Sequence, residues 1–221
     1  SSLSFATDTR GYNILPVGTN VIDSQYSVIE TTQKSAFGLQ GKQTQDTLYV
    51  RDTYFFNLNG NLAAAYILLP YSKQTLDITK PVNMSKNGDG MGDVKVLFAL
   101  GLYNMPALSR EEFKNFDKNG LHAACSLTVA LPTGSYDSLS NVNSGANRKS
   151  YKPECAAYWT QDKFQADFFV GNTIYSDNTA YSGNKRLSQS NLYNFETRLS
   201  YSFTPDFWAS TDFIYYKGGE T

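Results

Sequence analysis

The sequence predicts an all-β protein, an antiparallel up-and-down transmembrane β-barrel, and three observations carry that prediction. Segment after segment alternates apolar with polar residues, the connections between segments alternate long with short, and no apolar run is long enough for a spanning helix. The alternation is cleanest over Asn191–Tyr216 (NLYNFETRLSYSFTPDFWASTDFIYY). Tyr193, Phe195, Leu199, Tyr201 and Phe203 share one parity, interrupted only by Thr197; Asn194, Glu196, Arg198, Ser200 and Ser202 share the other. Successive side chains of a strand point to opposite faces, so this segment makes a ribbon that is apolar on one side and polar or charged on the other. Thr204-Pro205-Asp206 reads as a tight turn, because Pro presets φ and Asp bonds its own backbone. The chain returns with Phe207, Ala209, Thr211, Phe213 and Tyr215 opposite Trp208, Ser210, Asp212 and Tyr216.

The other elements follow in order. Residues 1–20 have no clean period and contain Pro16, Gly18 and Asn20, so they read as a non-strand periplasmic leader, with residues 21–221 as the barrel. Strands are expected over Val21–Thr32, Thr47–Leu58 and Asn61–Leu76, the last two joined by Asn59-Gly60, a strong hairpin signal because both residues tolerate positive φ. Pro70 is expected at a bulge or rim. Further strands are expected over Asp93–Tyr103, Gly120–Thr133, Tyr151–Thr160 and Phe164–Tyr175. Between Pro106 and Asn119 the β pattern breaks, and Ser109 with Glu112 forms a capping-box signature for a short helix. Residues 33–46, 80–92, 134–150 and 176–189 read as polar loops.

About nine strands result, each of about 11–15 residues, longer than the usual 5–6 of soluble strands. Their connections run long, short, long, medium with a helix, long, short, long, short. Long extracellular loops and short periplasmic turns on alternate ends are the rule for outer-membrane barrels, whereas a soluble β-sandwich, the rival fold, has no reason to alternate this way. Tyr103, Tyr151, Trp159, Tyr175, Phe203, Phe207, Trp208 and Tyr215 gather near strand ends, as interface belts require. A closed barrel of this class has an even strand count, and the chain stops at Lys217-Gly218-Gly219-Glu220-Thr221 without a terminal aromatic. The expectation is therefore a longer native protein with about 10–12 strands. No signal peptide is visible, so the chain reads as a mature sequence.

Composition sets outer bounds. The chain has 221 residues, a net charge of −1 and 18% charged residues. A near-neutral chain lacks the basic bias of nucleic-acid binders. The mean hydropathy of −0.40 is compatible with a barrel, whose lumen and loops are polar. A single histidine, His122, argues against a His-rich metal site and offers just one base for a catalytic triad, so it reads as a lumenal or interfacial residue. NGDG at 87–90 lacks the acidic spacing of an EF-hand, and Asp89, Asp137 and Asp177 read as solvated loop residues. No metal or cofactor is expected.

If the apolar faces meet lipid, the opposite faces line a lumen. Asp23, Arg51, Lys95, His122, Glu154, Asp167, Glu196, Arg198 and Asp212 then point inward, since Lys or Arg on the lipid face costs roughly 2–4 kcal/mol at mid-bilayer. They form either a constriction that binds solute or a mutually neutralising ion-pair network that fills a narrow barrel. Asp52 falls on the lipid parity, which predicts a bulge or rim there. Cys125 and Cys155 are equidistant from the middle of the 134–150 loop; they are either cross-strand partners in a disulfide or two small lipid-facing residues.

Arg10-Gly11-Tyr12 and Leu15-Pro16-Val17-Gly18-Thr19-Asn20-Val21, followed by Tyr26, resemble the opening of the family of outer-membrane transporters named after the MetA pathway of phenol degradation. Leu131-Pro132-Thr133-Gly134-Ser135-Tyr136 and Asn143-Ser144-Gly145-Ala146-Asn147-Arg148 resemble its mid-chain region. The resemblance implies an outer-membrane barrel of a Gram-negative bacterium that passes small hydrophobic or aromatic compounds, with the lipid bilayer and small solutes as its partners. It supplies no catalytic motif. A structural or interaction barrel with a filled lumen and partner-binding loops is the alternative expectation.

Overall fold

Nine long strands pair in chain order into one antiparallel sheet. They are β1 (Asn20–Lys34), β2 (Gln40–Leu58), β3 (Asn61–Lys80), β5 (Lys95–Tyr103), β6 (Gly120–Ala130), β7 (Ser150–Gln161), β8 (Phe164–Tyr175), β11 (Leu192–Ser202) and β12 (Trp208–Gly218). A short β4 (Met84–Met91) adds to β3 outside this path, and β9 (Asn178–Tyr181) with β10 (Lys185–Leu187) forms a separate hairpin. The computed structural model describes residues 11–34, 40–80, 83–140, 142–204 and 207–221. Pro205 and Asp206 of the expected tight turn, and residues 1–10 of the leader, lie outside them. The sheet curls as a half-barrel with β1 and β12 at its two edges.

Three expected loops turn out to contain strand. The β1–β2 ladder runs unbroken from Asn20↔Tyr54 to Lys34↔Gln40, so residues 40–46 extend β2. Their polar side chains hid this from a reading based on alternation, but a ladder needs only backbone donors and acceptors. Lys42 and Glu30 add an ion pair at 2.7 Å. Likewise β4 occupies most of 80–92, and β9 and β10 lie within 176–189.

Pro70 sits in register with Tyr49 without a bulge. On its other side β3 changes partner: pairing with β5 ends at Leu68↔Lys95 and pairing with β4 begins at Tyr71↔Met91. The Pro70 carbonyl accepts from Gly92 N at 2.8 Å on that side, so the missing N–H falls where the ladder is already broken. Asp52 is a second departure. Its register with Ile22 and Ile67 is continuous, and the carboxylate stands exposed on the apolar face. The two-residue turn at Asn59-Gly60 has φ of 52° and 85°, conformations that Asn and Gly adopt readily.

Helix α1 (Arg110–Asn115) carries the capping box in full. Ser109 Oγ accepts from Glu112 N at 3.3 Å, and Glu112 Oε2 accepts from Ser109 N at 2.8 Å. The Ser109 N–H holds the Glu112 carboxyl below its ordinary range. A carboxyl depressed in the folded state stabilises it above the unfolded value and ceases to as pH falls through the folded value. Acidification through that range should therefore speed amide exchange in the first turn of α1, and Ser109→Ala should do the same at neutral pH with a loss of about 1 kcal/mol. Exchange that stays unchanged in both cases would remove the cap from the account.

Cys125 and Cys155 face each other across β6 and β7, joined by a disulfide. The bond lies on the outer, apolar face beside Leu127 and Val170. It closes a ring with a sequence separation of 30, which by the chain-entropy relation stabilises by roughly 3–4 kcal/mol. Reduction, or the double change Cys125→Ala with Cys155→Ala, should lower the denaturant midpoint accordingly, and an unchanged midpoint would contradict it.

Candidate lumen and its polar network

The two faces of the sheet differ as their alternation requires. Ile22, Val50, Ile67, Phe98, Leu127, Val170, Phe195 and Phe213 stand exposed on the outer face. The inner face buries Ser126, Glu154, Gln165, Asp167, Asn194, Glu196, Arg198 and Ser200. The aromatic belt is partly as expected. Tyr103, Tyr151, Trp159, Phe203 and Phe207 are exposed, but Tyr175 turns inward and lies under Arg148, 4.6 Å from guanidinium to ring centre.

Residues 11–19 form no strand; they run back along the inner face. Ile14 packs with Leu62, Met105, Ala124 and Tyr158, and Tyr12, Val17, Phe55, Leu108, Phe113 and Phe116 lie against that cluster. Backbone bonds fix the path at its exit: Val17 N donates to Leu108 O and Gly18 N to Phe55 O, both at 2.8 Å. Deeper in, the contacts become polar. The Tyr12 hydroxyl bonds Ser126 Oγ at 2.6 Å and donates to Glu154 Oε1 at 3.4 Å. Asn13 and Gln165 exchange amide hydrogen bonds at 3.3 and 2.8 Å.

Around this segment the inward charges form one connected set on β7, β8, β11 and β12. Arg198 binds Glu196 Oε2 at 2.6 Å with both side chains almost fully buried, and stands in register between Asp167 on β8 and Asp212 on β12. Asn194 Nδ2 links Glu196 Oε1 at 3.0 Å to Glu154 Oε2 at 3.1 Å, and Lys152 Nζ meets that same Glu154 oxygen at 2.6 Å. Gln165 donates to Asp167 Oδ1 at 2.6 Å. The guanidinium of Arg198 also lies 5.1 Å from the Phe169 ring centre.

All nine charged or histidine positions expected inward have that parity, but the structure divides them. Glu154, Asp167, Glu196, Arg198 and Asp212 belong to the network just described. Asp23 and Arg51 make their own pair at 2.8 Å on β1 and β2, with Arg51 over Tyr66. Lys95 lies toward the loop end, in register with Ala130. His122 departs from the expectation of a lumenal position: it is 0% exposed, because the returning 104–119 connection covers it. Its ring nitrogens face the carbonyls of Asn104 at 2.7 Å and Lys118 at 3.1 Å, and the ring stacks on Tyr158. It clamps a turn.

At the loop end the described residues of the β6–β7 connection, 131–140 and 142–149, are bonded back to β3, Asp93 and β9. Asp93 receives Gly134 N on one carboxylate oxygen and Ala146 N on the other, both at 2.9 Å. The backbones of Gly134 and Gly145 touch there so closely that a Cβ on Gly134 would lie 2.6 Å from Gly145 Cα. Toward β3 the loop is held by Gln74 donating to Asn143 O at 2.9 Å, and toward β9 by Asn147 donating to Asn178 Oδ1 at 2.9 Å. Asp89, Asp137 and Asp177 are separately engaged, by Tyr71, Leu139 N and Arg186. Hydrogen bonds from Ser188 and Arg186 hold the Asp177 carboxyl below its ordinary range.

Several of these residues were missed in the sequence. Lys152 shares the parity of Glu154, so the alternation that puts Gln165 and Asn194 on the polar faces of their strands points to it as well. Tyr12 and Asn13 sit in an aperiodic stretch that gives no such signal.

Comparison with known proteins agrees with this architecture. No curated protein matches the chain in sequence. The crystal structure of the COG4313 outer membrane channel from Pseudomonas putida F1 superposes with a TM-score of 0.76 at 20% identity, over 97% of this chain and 78% of that one. The fold is thus that of a transmembrane β-barrel wall. A family model described as "Putative MetA-pathway of phenol degradation" matches residues 20–219. The chain belongs to that family.

Proposed function

We propose that this chain is an outer-membrane channel wall that lets small solutes, hydrophobic or aromatic ones included, pass down their gradient. The carrying observation is the division of one curled sheet into an apolar outer face and a charged inner face. A bilayer solvates the first and water or solute the second. The COG4313 protein of the same fold is named an outer membrane channel, which supports the same localisation here. An enzymatic reading finds little footing, because His122 is fully buried, with a backbone carbonyl facing each ring nitrogen.

Residues 11–19 and the 131–149 loop favour a second reading, a barrel whose lumen is filled and which serves structure or partner binding. Flux separates the two. Purified protein reconstituted into liposomes should admit small neutral aromatics and ions faster than protein-free vesicles. Equal rates would overturn the channel and leave the filled barrel.

A further inference from the structure

The Cys125–Cys155 bond lies deep in the part of the wall that faces lipid. Cys125 is the sixth of the 11 residues of β6, and Cys155 the sixth of the 12 of β7. Both share the parity of Leu121, Leu127, Tyr151 and Trp159, which stand exposed on the outer face. Tyr151 and Trp159, one near each end of β7, are each four residues from Cys155. Four residues of a strand tilted as barrel strands are span about 10 Å of depth, against an apolar band about 25 Å tall. The two sulfurs therefore sit near the mid-plane of that band.

Neither side of the sheet gives a polar reagent a path to them. On the outer face the bond is flanked by Leu102, Ala123, Ala157, Phe168, Val170 and Phe195, an apolar recess that a bilayer fills with acyl chains. On the inner face Ala124 and Ala156 close the sheet behind the bond, 3% and 5% exposed, with Ala124 packed in the cluster of Ile14. Disulfides form and break by attack of a thiolate on a disulfide sulfur. A thiolate is an ion, and an unpaired ion in hydrocarbon carries a heavy desolvation cost. Exchange at this site is thus open while the segment is in water and shut once lipid covers it.

We propose that the Cys125–Cys155 bond is closed before the wall enters the bilayer, by a water-soluble dithiol–disulfide oxidant, and that lipid then shields it from polar thiols. One cysteine loses its proton and attacks the oxidant's disulfide, whose second sulfur leaves as a thiolate. The other cysteine, also deprotonated, attacks the cysteine sulfur of that mixed disulfide and expels the oxidant's first sulfur. The bond between Cys125 and Cys155 forms as the oxidant's bond breaks; two electrons and two protons end on the oxidant, which leaves as a dithiol. An oxidising compartment such as the periplasm supplies such a reagent. The pairing of β6 with β7 is in this way tied at its centre ahead of insertion. The inference rests on the position of the bond in the wall and not on whether the barrel conducts.

The test compares the same chain before and after insertion. Reduced protein is treated with a mixture of oxidised and reduced glutathione, either in urea or after folding into phosphatidylcholine bicelles, which leave both ends of the barrel in buffer. Folding is checked by the heat-dependent shift on a gel, and remaining thiols are counted by alkylation after denaturation. The bond should close in urea and at least a hundredfold more slowly in bicelles. Leu139→Cys in a chain with Cys125→Ala and Cys155→Ala is the reference; Leu139 is 78% exposed, and its replacement thiol should react with glutathione disulfide in both states. In the converse arm, oxidised protein in bicelles should keep its bond against tris(carboxyethyl)phosphine at least a hundredfold longer than in urea. A reduced chain that fails to insert at all also places closure first. Closure or reduction in bicelles within tenfold of the rate in urea overturns the proposal. So does a bond that glutathione closes only in the folded wall.

Discussion

Removal of residues 1–18 should raise single-channel conductance in planar bilayers severalfold, the largest functional change we expect from any alteration of this chain. Residues 11–18 occupy the inner face with Tyr12 and Ile14 inserted and Val17 and Gly18 bonded to the wall. Conductance scales with the open cross-section, and a segment of backbone with its side chains fills much of a narrow barrel. Tyr12→Phe offers a milder comparison. It deletes the hydroxyl that meets Ser126 and Glu154, with a loss on the order of 1–2 kcal/mol at that anchor, and should appear as more frequent switching between conductance levels. Conductance that is the same with and without the segment would mean that solute does not pass along this face.

Arg198→Met should be the most destabilising single change, by roughly 3–5 kcal/mol in reversible denaturation from detergent or lipid. The guanidinium is almost wholly buried against Glu196, with Asp167 and Asp212 in register on the two neighbouring strands. Its loss would leave three carboxylates close together with no neighbouring arginine. Removing one member of a buried ion pair strands the charge of the other, which costs far more than the pair contributes as a whole. Glu196→Gln keeps the shape and hydrogen-bonding capacity, so it should cost much less. Equal losses for the two variants would show that packing, and not charge compensation, governs this layer.

Most of the wall was legible in the sequence because a barrel writes its geometry in a two-residue period. Tyr193 to Phe203 gave the strand, its faces and the inward direction of Glu196 and Arg198 directly. Where the period carried no apolar signal, the reading failed in a consistent way. The polar continuation of β2 through Gln43 and Gln45 and the glycine-containing β4 both carry the composition of loops, since strand pairing there depends on backbone groups that composition does not report. His122 had the right parity, but its burial is created by a connection that returns over it from 104 to 119, a tertiary event. The same holds for Tyr12: nothing in an aperiodic leader announces that it will fold back 114 residues away in sequence against Ser126.

The disulfide between Cys125 and Cys155 has a practical consequence for probing the β6–β7 connection. Both ends of the 131–149 loop lie inside the covalent ring. A protease that cuts anywhere in that loop severs the backbone without separating the two pieces. Nicked protein will therefore migrate as one chain on a non-reducing gel and as two fragments once a thiol is added. Surface proteolysis of this protein read without reductant would score that loop as uncut.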